Sequence, residues 1–289
     1  MILLSNLTTL SLPLLYLVLG GRYLWVFTAE RSSTRNWTGL LLWGTIAVHF
    51  VHSCLHAFKL GRLPLASPLE FFSLLALTTM GVYAVLERVI KNRQTGVFVV
   101  GLCFLLQFWA SAFITPRRPT VNPLLNDPGY ATHVLLMLLA YAAMNLSFLY
   151  AILYHVQARE LNRRNFGLIF RRLPPLQTLE NMSVGAVRFA IPLLFMALAS
   201  GQLRMYSLRH KLPEIDATLL SPWDPKILAS WVIFLGYAMG LLGHARWGWR
   251  GKRMNRVAIV CWVLVIVTMG LIHHFVPSFH DFGLRGGAS

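Results

Sequence analysis

Ser221-Pro222-Trp223-Asp224-Pro225-Lys226 is a short polar turn set between two long apolar runs, residues 182–203 and 226–246. Each run has the roughly 20 residues that an α-helix needs to cross the hydrocarbon of a bilayer. Six more runs of that kind occupy 7–29, 37–58, 68–90, 96–115, 130–157 and 255–276. Lipid offers the backbone no hydrogen-bond partner, so such runs must pair their peptide groups internally as helices. The composition agrees. Of 289 residues, 56% are hydrophobic and 12% charged, and the mean hydropathy is +0.58, whereas soluble domains carry about 25% charged residues. The expected fold is all-α: a polytopic membrane helix bundle with about eight transmembrane helices. It forms a single membrane domain over 1–289, with a tryptophan-containing outer loop at 204–226. The first run begins almost at Met1 without a basic leader or a small-residue cleavage site, and reads as a retained span.

Charge sets the expected direction. The net charge is +16, from 26 Lys+Arg against 10 Asp+Glu. The basic residues sit in the short links between runs, which argues against nucleic-acid binding and for the charge bias that orients membrane helices. The links 158–181 and 246–256 each hold five Lys/Arg. If these face inward together with 30–36 and 86–95, both termini lie outside, and the chain is a multi-pass protein of the cell inner (cytoplasmic) membrane. Three outer helix starts are punctuated. Ser67-Pro68-Leu69-Glu70 has an N-cap serine, a proline at the first position and a glutamate three residues on, while Asp127-Pro128 and Asp224-Pro225 repeat cap then proline. Cys54, Cys103 and Cys261 lie singly inside apolar runs, so no disulfide framework is indicated, and the missing Cys-x-x-Cys-His excludes a c-type cytochrome.

Ten histidines carry most of the possible chemistry. His133 lies about one turn into the fifth run, and His280 follows the eighth within Pro277-Ser278-Phe279-His280-Asp281. Each alone suits an interfacial polar residue. Both fall on the face of the tryptophan turn, and that combination favours a planar metal macrocycle held at the outer surface. Trp223 could stack on it, with Lys226 or Arg209 pairing to its carboxylates, although the same residues fit an aromatic belt and a snorkelling end. Asp224 fits a helix cap. His49, His52 and His56 share one face of the second run. They could ligate a second macrocycle, relay protons or pack polar helix faces together. His244 and His155 stand near inner ends and could form an inner pair. His210 and the His273-His274 pair are rivals for the outer ligand. No metalloprotease, phosphate-loop or serine–histidine arrangement is present.

Several segments resemble the membrane haem-handling proteins of cytochrome c assembly, of the CcsA, CcmC and HemX type. Leu63-Pro64-Leu65-Ala66-Ser67-Pro68-Leu69-Glu70 is similar to that family's loop into its third helix. Tyr130-Ala131-Thr132-His133-Val134 resembles its first external histidine segment. Leu173-Pro174-Pro175-Leu176-Gln177-Thr178-Leu179-Glu180 is similar to its inner proline-leucine segment. Trp223-Asp224-Pro225-Lys226 resembles the end of its tryptophan-rich signature, and the Trp231 to Tyr237 run with His244, Ala245, Arg246 and Gly248-Trp249-Arg250-Gly251 resembles the helix and basic turn that follow. The chain departs in having Trp223 alone before the Asp-Pro, and Ile227 where a glutamate is usual.

The resemblance implies that His133 and His280 ligate haem b beside Trp223 and Asp224, and that His244 is a metal ligand of an inner haem site. It also implies a function, haem capture or presentation at the outer face for attachment to apocytochrome c. The expected partners are an extracytoplasmic cytochrome c assembly protein, apocytochrome c and the lipid bilayer. Attachment would occur on the apocytochrome's thiols, so the chain is expected to supply no catalytic residue, though it could belong to a haem lyase system. The alternatives are a membrane regulator of tetrapyrrole synthesis acting through the basic inner loops and, behind it, a small-molecule transporter using the His49/His52/His56 stripe.

Overall fold

The computed structural model describes residues 2–29, 35–65, 67–112, 127–164, 166–211 and 223–275, and side chains within them except at 2–10, 35–36, 208–211 and 269–275. Among the described residues every regular element is a helix: α1 Ile2–Thr28, α2 Arg35–Leu60, α3 Pro68–Ile90, α4 Gly96–Ala112, α5 Pro128–Asn162, α6 Leu168–Arg172, α7 Leu176–Lys211, α8 Pro225–Arg246 and α9 Lys252–Phe275. The eight apolar runs correspond one to one with the eight long helices. Six of these are long and apolar enough to cross a membrane, α1, α2, α3, α5, α7 and α8, while α4 is a shorter apolar helix of 17 residues. The chain is a multi-pass helical membrane protein. Its outward side chains fit that solvent: Leu14, Leu17, Val18 and Trp25 on α1 and Val232 and Leu235 on α8 are all exposed.

Helix starts follow the punctuation. The Ser67 side chain accepts from Glu70 N–H while the Glu70 carboxylate accepts from Ser67 N–H, a reciprocal capping box with Pro68 in the first turn. Glu70 also pairs with Arg62 at 3.1 Å. Asp224 caps α8 by accepting from Lys226 N–H at 2.8 Å. Two helices outrun their apolar sequence. α5 continues to Asn162 and α7 begins at Leu176, directly after Pro174-Pro175, so the link between them is shorter than the composition implied. α7 also continues to Lys211, into the segment read as outer loop; residues 212–222 of that loop lie outside the described residues.

The helices gather into two compact units, one of residues 1–117 and 149–182, the other of residues 118–148 and 183–289. In the first, α1 packs on α2 and α4, and α3 packs on α2 and α4. Leu12, Tyr16, Leu19, Tyr23 and Phe27 form the buried stripe of α1, spaced as one helix face requires. Gly96 at the start of α4 leaves the space that the Tyr23 and Tyr83 rings fill. Tyr23 donates to the buried Glu87 carboxylate, which also pairs with Arg93 at 2.8 Å. In the second unit α8 packs on α9. A Cβ added at Gly240 would lie 2.8 Å from Val257 Cγ1, and one at Gly236 would lie 3.2 Å from Cys261 Sγ. The two backbones thus approach closely across small residues, the usual device where lipid gives no hydrophobic drive to helix association.

Candidate functional site

His133 sits on α5, in the first residues after the Asp127-Pro128 start. Asp127 accepts from Tyr130 N–H at 2.8 Å and also pairs with Arg204 on α7. Gly129 leaves room for that pair, because a Cβ there would lie 3.0 Å from Asp127 Oδ2 and 3.1 Å from Arg204 Cδ. One turn earlier on α7, Gly201 lies against the imidazole: its Cβ would come within 2.7 Å of His133 Nδ1. Here the ring's Nδ1–H donates to the Ala197 carbonyl at 2.7 Å. A carbonyl only accepts, so Nδ1 carries the proton and Nε2 carries the lone pair. Among the described residues nothing occupies that Nε2.

His244 is buried in the last turn of α8. Its Nδ1–H donates to the Trp249 carbonyl at 2.9 Å, and Arg250 Nη1 donates to its Nε2 at 3.2 Å. A guanidinium only donates, so the tautomer matches that of His133. The turn that closes these contacts needs Gly248 at φ +64 and Gly251 at φ +56, backbone values that other residues rarely adopt. Gly243 leaves the space for the Trp249 ring, whose Cε3 would lie 2.5 Å from a Cβ there. Arg253 lies over that ring at 5.6 Å, and Trp247 packs beside it at 5.5 Å between centroids.

His49 is fully buried and engaged at both nitrogens. Ser73 donates to Gln107 Oε1 at 2.8 Å, so its oxygen accepts from His49 Nε2–H at 3.0 Å. His49 Nδ1 then accepts from Tyr16 O–H at 2.9 Å. Gln107 passes the chain on to Ser111 at 3.0 Å. One imidazole therefore ties α1, α2 and α3 together, with α4 reached through Ser73. His52 follows at 6.4 Å between ring centroids, and His56 stacks on His52 at 6.1 Å. His155 lies edge-on to Tyr154. Trp223 is 76% exposed, and Asp224 is buried as the cap of α8. His280 lies outside the described residues, as do the side chains of His210, His273 and His274.

A haem iron is ligated by an imidazole nitrogen with an available lone pair, its other nitrogen oriented by a second-shell acceptor. His133 fits that requirement. His244 fits in tautomer and orientation, with Arg250 on the ligating nitrogen. His49 has no lone pair to offer while Tyr16 donates to it. The sequence assigns no positioning role to Ala197, Gly201 and the Asp127–Arg204 pair around His133, or to Trp249 and Arg250 around His244. A glycine inside an apolar run was the one signal for Gly201, since glycine there marks a close approach.

The family profile described as cytochrome C assembly protein matches residues 63–273. The chain belongs to the cytochrome C assembly protein family. Residues 63–273 take in α3 to α8, the His133 and His244 settings, and most of α9. The chain is similar to the inner membrane protein YpjD of Escherichia coli (strain K12), 27% identical over 165 residues, 57% of this chain and 58% of that protein. It is similar to Protein HemX of Brevibacillus brevis, 24% identical over 169 residues, 58% of each. It is also similar to the cytochrome c biogenesis protein CcsA of Heterosigma akashiwo, 25% identical over 259 residues, 76% of each. The matched part of this family member thus spans 58% of the length of YpjD and of HemX. No solved structure matches the chain.

Proposed function

We propose that this protein binds haem in the cell inner membrane and serves cytochrome c assembly by holding haem b at the outer face for transfer to apocytochrome c. Haem is the cargo. His133 would offer its Nε2 to the haem iron, and His280 is the proposed second ligand. Trp223 supplies an exposed ring for the macrocycle. Asp224 holds the turn by capping α8, with Lys226 at the first turn to meet a propionate. His244 and the basic turn after it form an inner site. His49 stands outside this set as an interhelical link, and His52, beside it, is placed with it. The observation that carries the reading is the His133 imidazole, fixed by the Ala197 carbonyl at 2.7 Å with no described residue on its other nitrogen, in a member of the cytochrome C assembly family.

What the side chains do follows from their chemistry. The Ala197 carbonyl keeps the proton on Nδ1 and raises the basicity of Nε2. Gly201 and the Asp127–Arg204 pair set the ring's place between α5 and α7. The covalent step belongs to the apocytochrome and its assembly partner, so no nucleophile of this chain is invoked. The second reading, a regulator of tetrapyrrole synthesis acting through the inner loops, draws on the likeness to HemX and on the basic 158–181 link, where Arg159, Arg163, Arg164 and Arg171 are exposed. One experiment separates the two. In cells lacking the native protein, c-type cytochrome yield is measured with His133→Ala and with charge reversal at Arg171 and Arg172. The haem-presentation reading predicts a large loss with His133→Ala and a small one with charge reversal; the opposite order refutes it.

A further inference from the structure

His133 and His244 share a tautomer and a backbone partner type, yet among the described residues only the His244 Nε2 is covered. The cover is a cation. Arg250 Nη1 donates to His244 Nε2 at 3.2 Å, and the Nδ1–H of the same ring is fixed on the Trp249 carbonyl at 2.9 Å. His244 is buried, whereas Arg250 is exposed. The lone pair is thus aimed and held by a group that can leave without unpacking the core. The contact is built by the turn itself. Gly248 and Gly251 adopt left-handed φ values, Gly243 admits the Trp249 ring, and these bring Arg250 back onto a residue six positions earlier.

We infer that Arg250 is a gate on the inner site, covering His244 Nε2 until a carboxylate-bearing porphyrin draws its guanidinium away. This rests on the haem-binding reading above and adds its selectivity. A guanidinium bonded to a neutral imidazole has one charge-assisted bond of ordinary strength. A propionate offers it a bidentate, doubly charge-assisted pair. Arg246, Lys252, Arg253 and Arg256 flank the turn in sequence, and they add to the attraction for a dianionic macrocycle. The exposed ring of Trp247 stands beside Trp249 as an apolar surface for it. A porphyrin without free carboxylates gives Arg250 no reason to move and meets a covered nitrogen. Arg250 is therefore a positioning and selecting residue rather than a ligand.

The test uses the full chain purified in detergent, in a His133→Ala background that leaves the inner site alone. In haem-free protein, diethyl pyrocarbonate modification of His244 is followed by mass spectrometry. The gate predicts slow labelling in the parent and labelling at least about fivefold faster in Arg250→Ala and Arg250→Gln. The same proteins are then titrated with haem b and with its dimethyl ester, reading the Soret band. The parent should bind haem b about tenfold more tightly than the ester, the size expected of one charge-assisted pair. Both Arg250 variants should cut that ratio severalfold, the remainder being the pull of the flanking cations. Equal labelling of His244 in parent and variants overturns the gate alone, and so does a preference for haem b that is undiminished in both variants. A His244→Ala spectrum identical to the parent's overturns the inner site and the gate with it.

Discussion

The Ala197 carbonyl decides what His133 can do. Without it, an imidazole near a helix end is free to turn and to change tautomer; with it, Nδ1 is committed and Nε2 is presented. Gly201 is as necessary as the carbonyl, because a methyl there would lie 2.7 Å from Nδ1 and 2.8 Å from Cε1 of the ring. Gly201→Ala should therefore displace the imidazole while leaving α7 helical, as alanine is the better helix former. Haem titration of the variant should show the outer-site Soret change reduced at least about tenfold in affinity, with unchanged far-ultraviolet circular dichroism; an unaltered titration argues against this placement. His49 makes the contrasting prediction. His49→Ala removes the bonds to Tyr16 and Ser73 and leaves a void. Interhelical hydrogen bonds in membranes average about 0.6 kcal/mol each, and buried large-to-small changes cost about 2 kcal/mol or more. The variant should melt earlier in detergent by an amount equivalent to about 3 kcal/mol or more, yet bind the same number of haems. A lost haem with unchanged melting would make His49 a ligand instead.

At the scale of elements, the boundaries legible in the sequence are those that side-chain chemistry writes locally. α3 runs from Pro68 to Ile90 because Ser67, Pro68 and Glu70 are a capping box visible in four consecutive residues. α8 begins at Pro225 for the same reason, through Asp224. The far ends of α5 and α7 were not legible. Arg204 reads as an outer-loop charge until its carboxylate partner, Asp127, is found 77 residues away, and Gln157, near the end of α5, donates to the Phe170 carbonyl at 3.2 Å. Nor does the sequence reveal that Arg250 covers His244. As one basic residue among five in its link, it reads as orienting charge. Two predictions belong at this scale. Ser67→Ala should cost about 1 kcal/mol by removing one cap, measured as a thermal shift of the purified protein. Gly240→Leu should cost more, because its first carbon already lies 2.8 Å from Val257 Cγ1; it should separate α8 from α9 and loosen the turn at His244, seen as faster modification of His244. A Gly240→Leu protein as stable as the parent would contradict the close packing of these helices.

For the whole molecule, hydropathy alone carried the architecture: all eight apolar runs are helices, and the outward residues are apolar because the solvent there is lipid. The functional reading rests on the places where chemistry breaks that pattern, at His133, His244 and the Trp223 turn. The account requires His133 and Trp223 to share the outer face, and cysteine substitutions at 133 and 223 should both react with an impermeant thiol reagent in intact cells. The central claim, that His133 ligates haem, is tested most directly by the absorption spectrum of the full protein reconstituted with haem b, beside that of His133→Ala. The parent should show a shifted, low-spin Soret band that is weakened or moved in the variant and partly restored by added imidazole. Identical spectra from the two proteins, or no Soret shift in either, would contradict it.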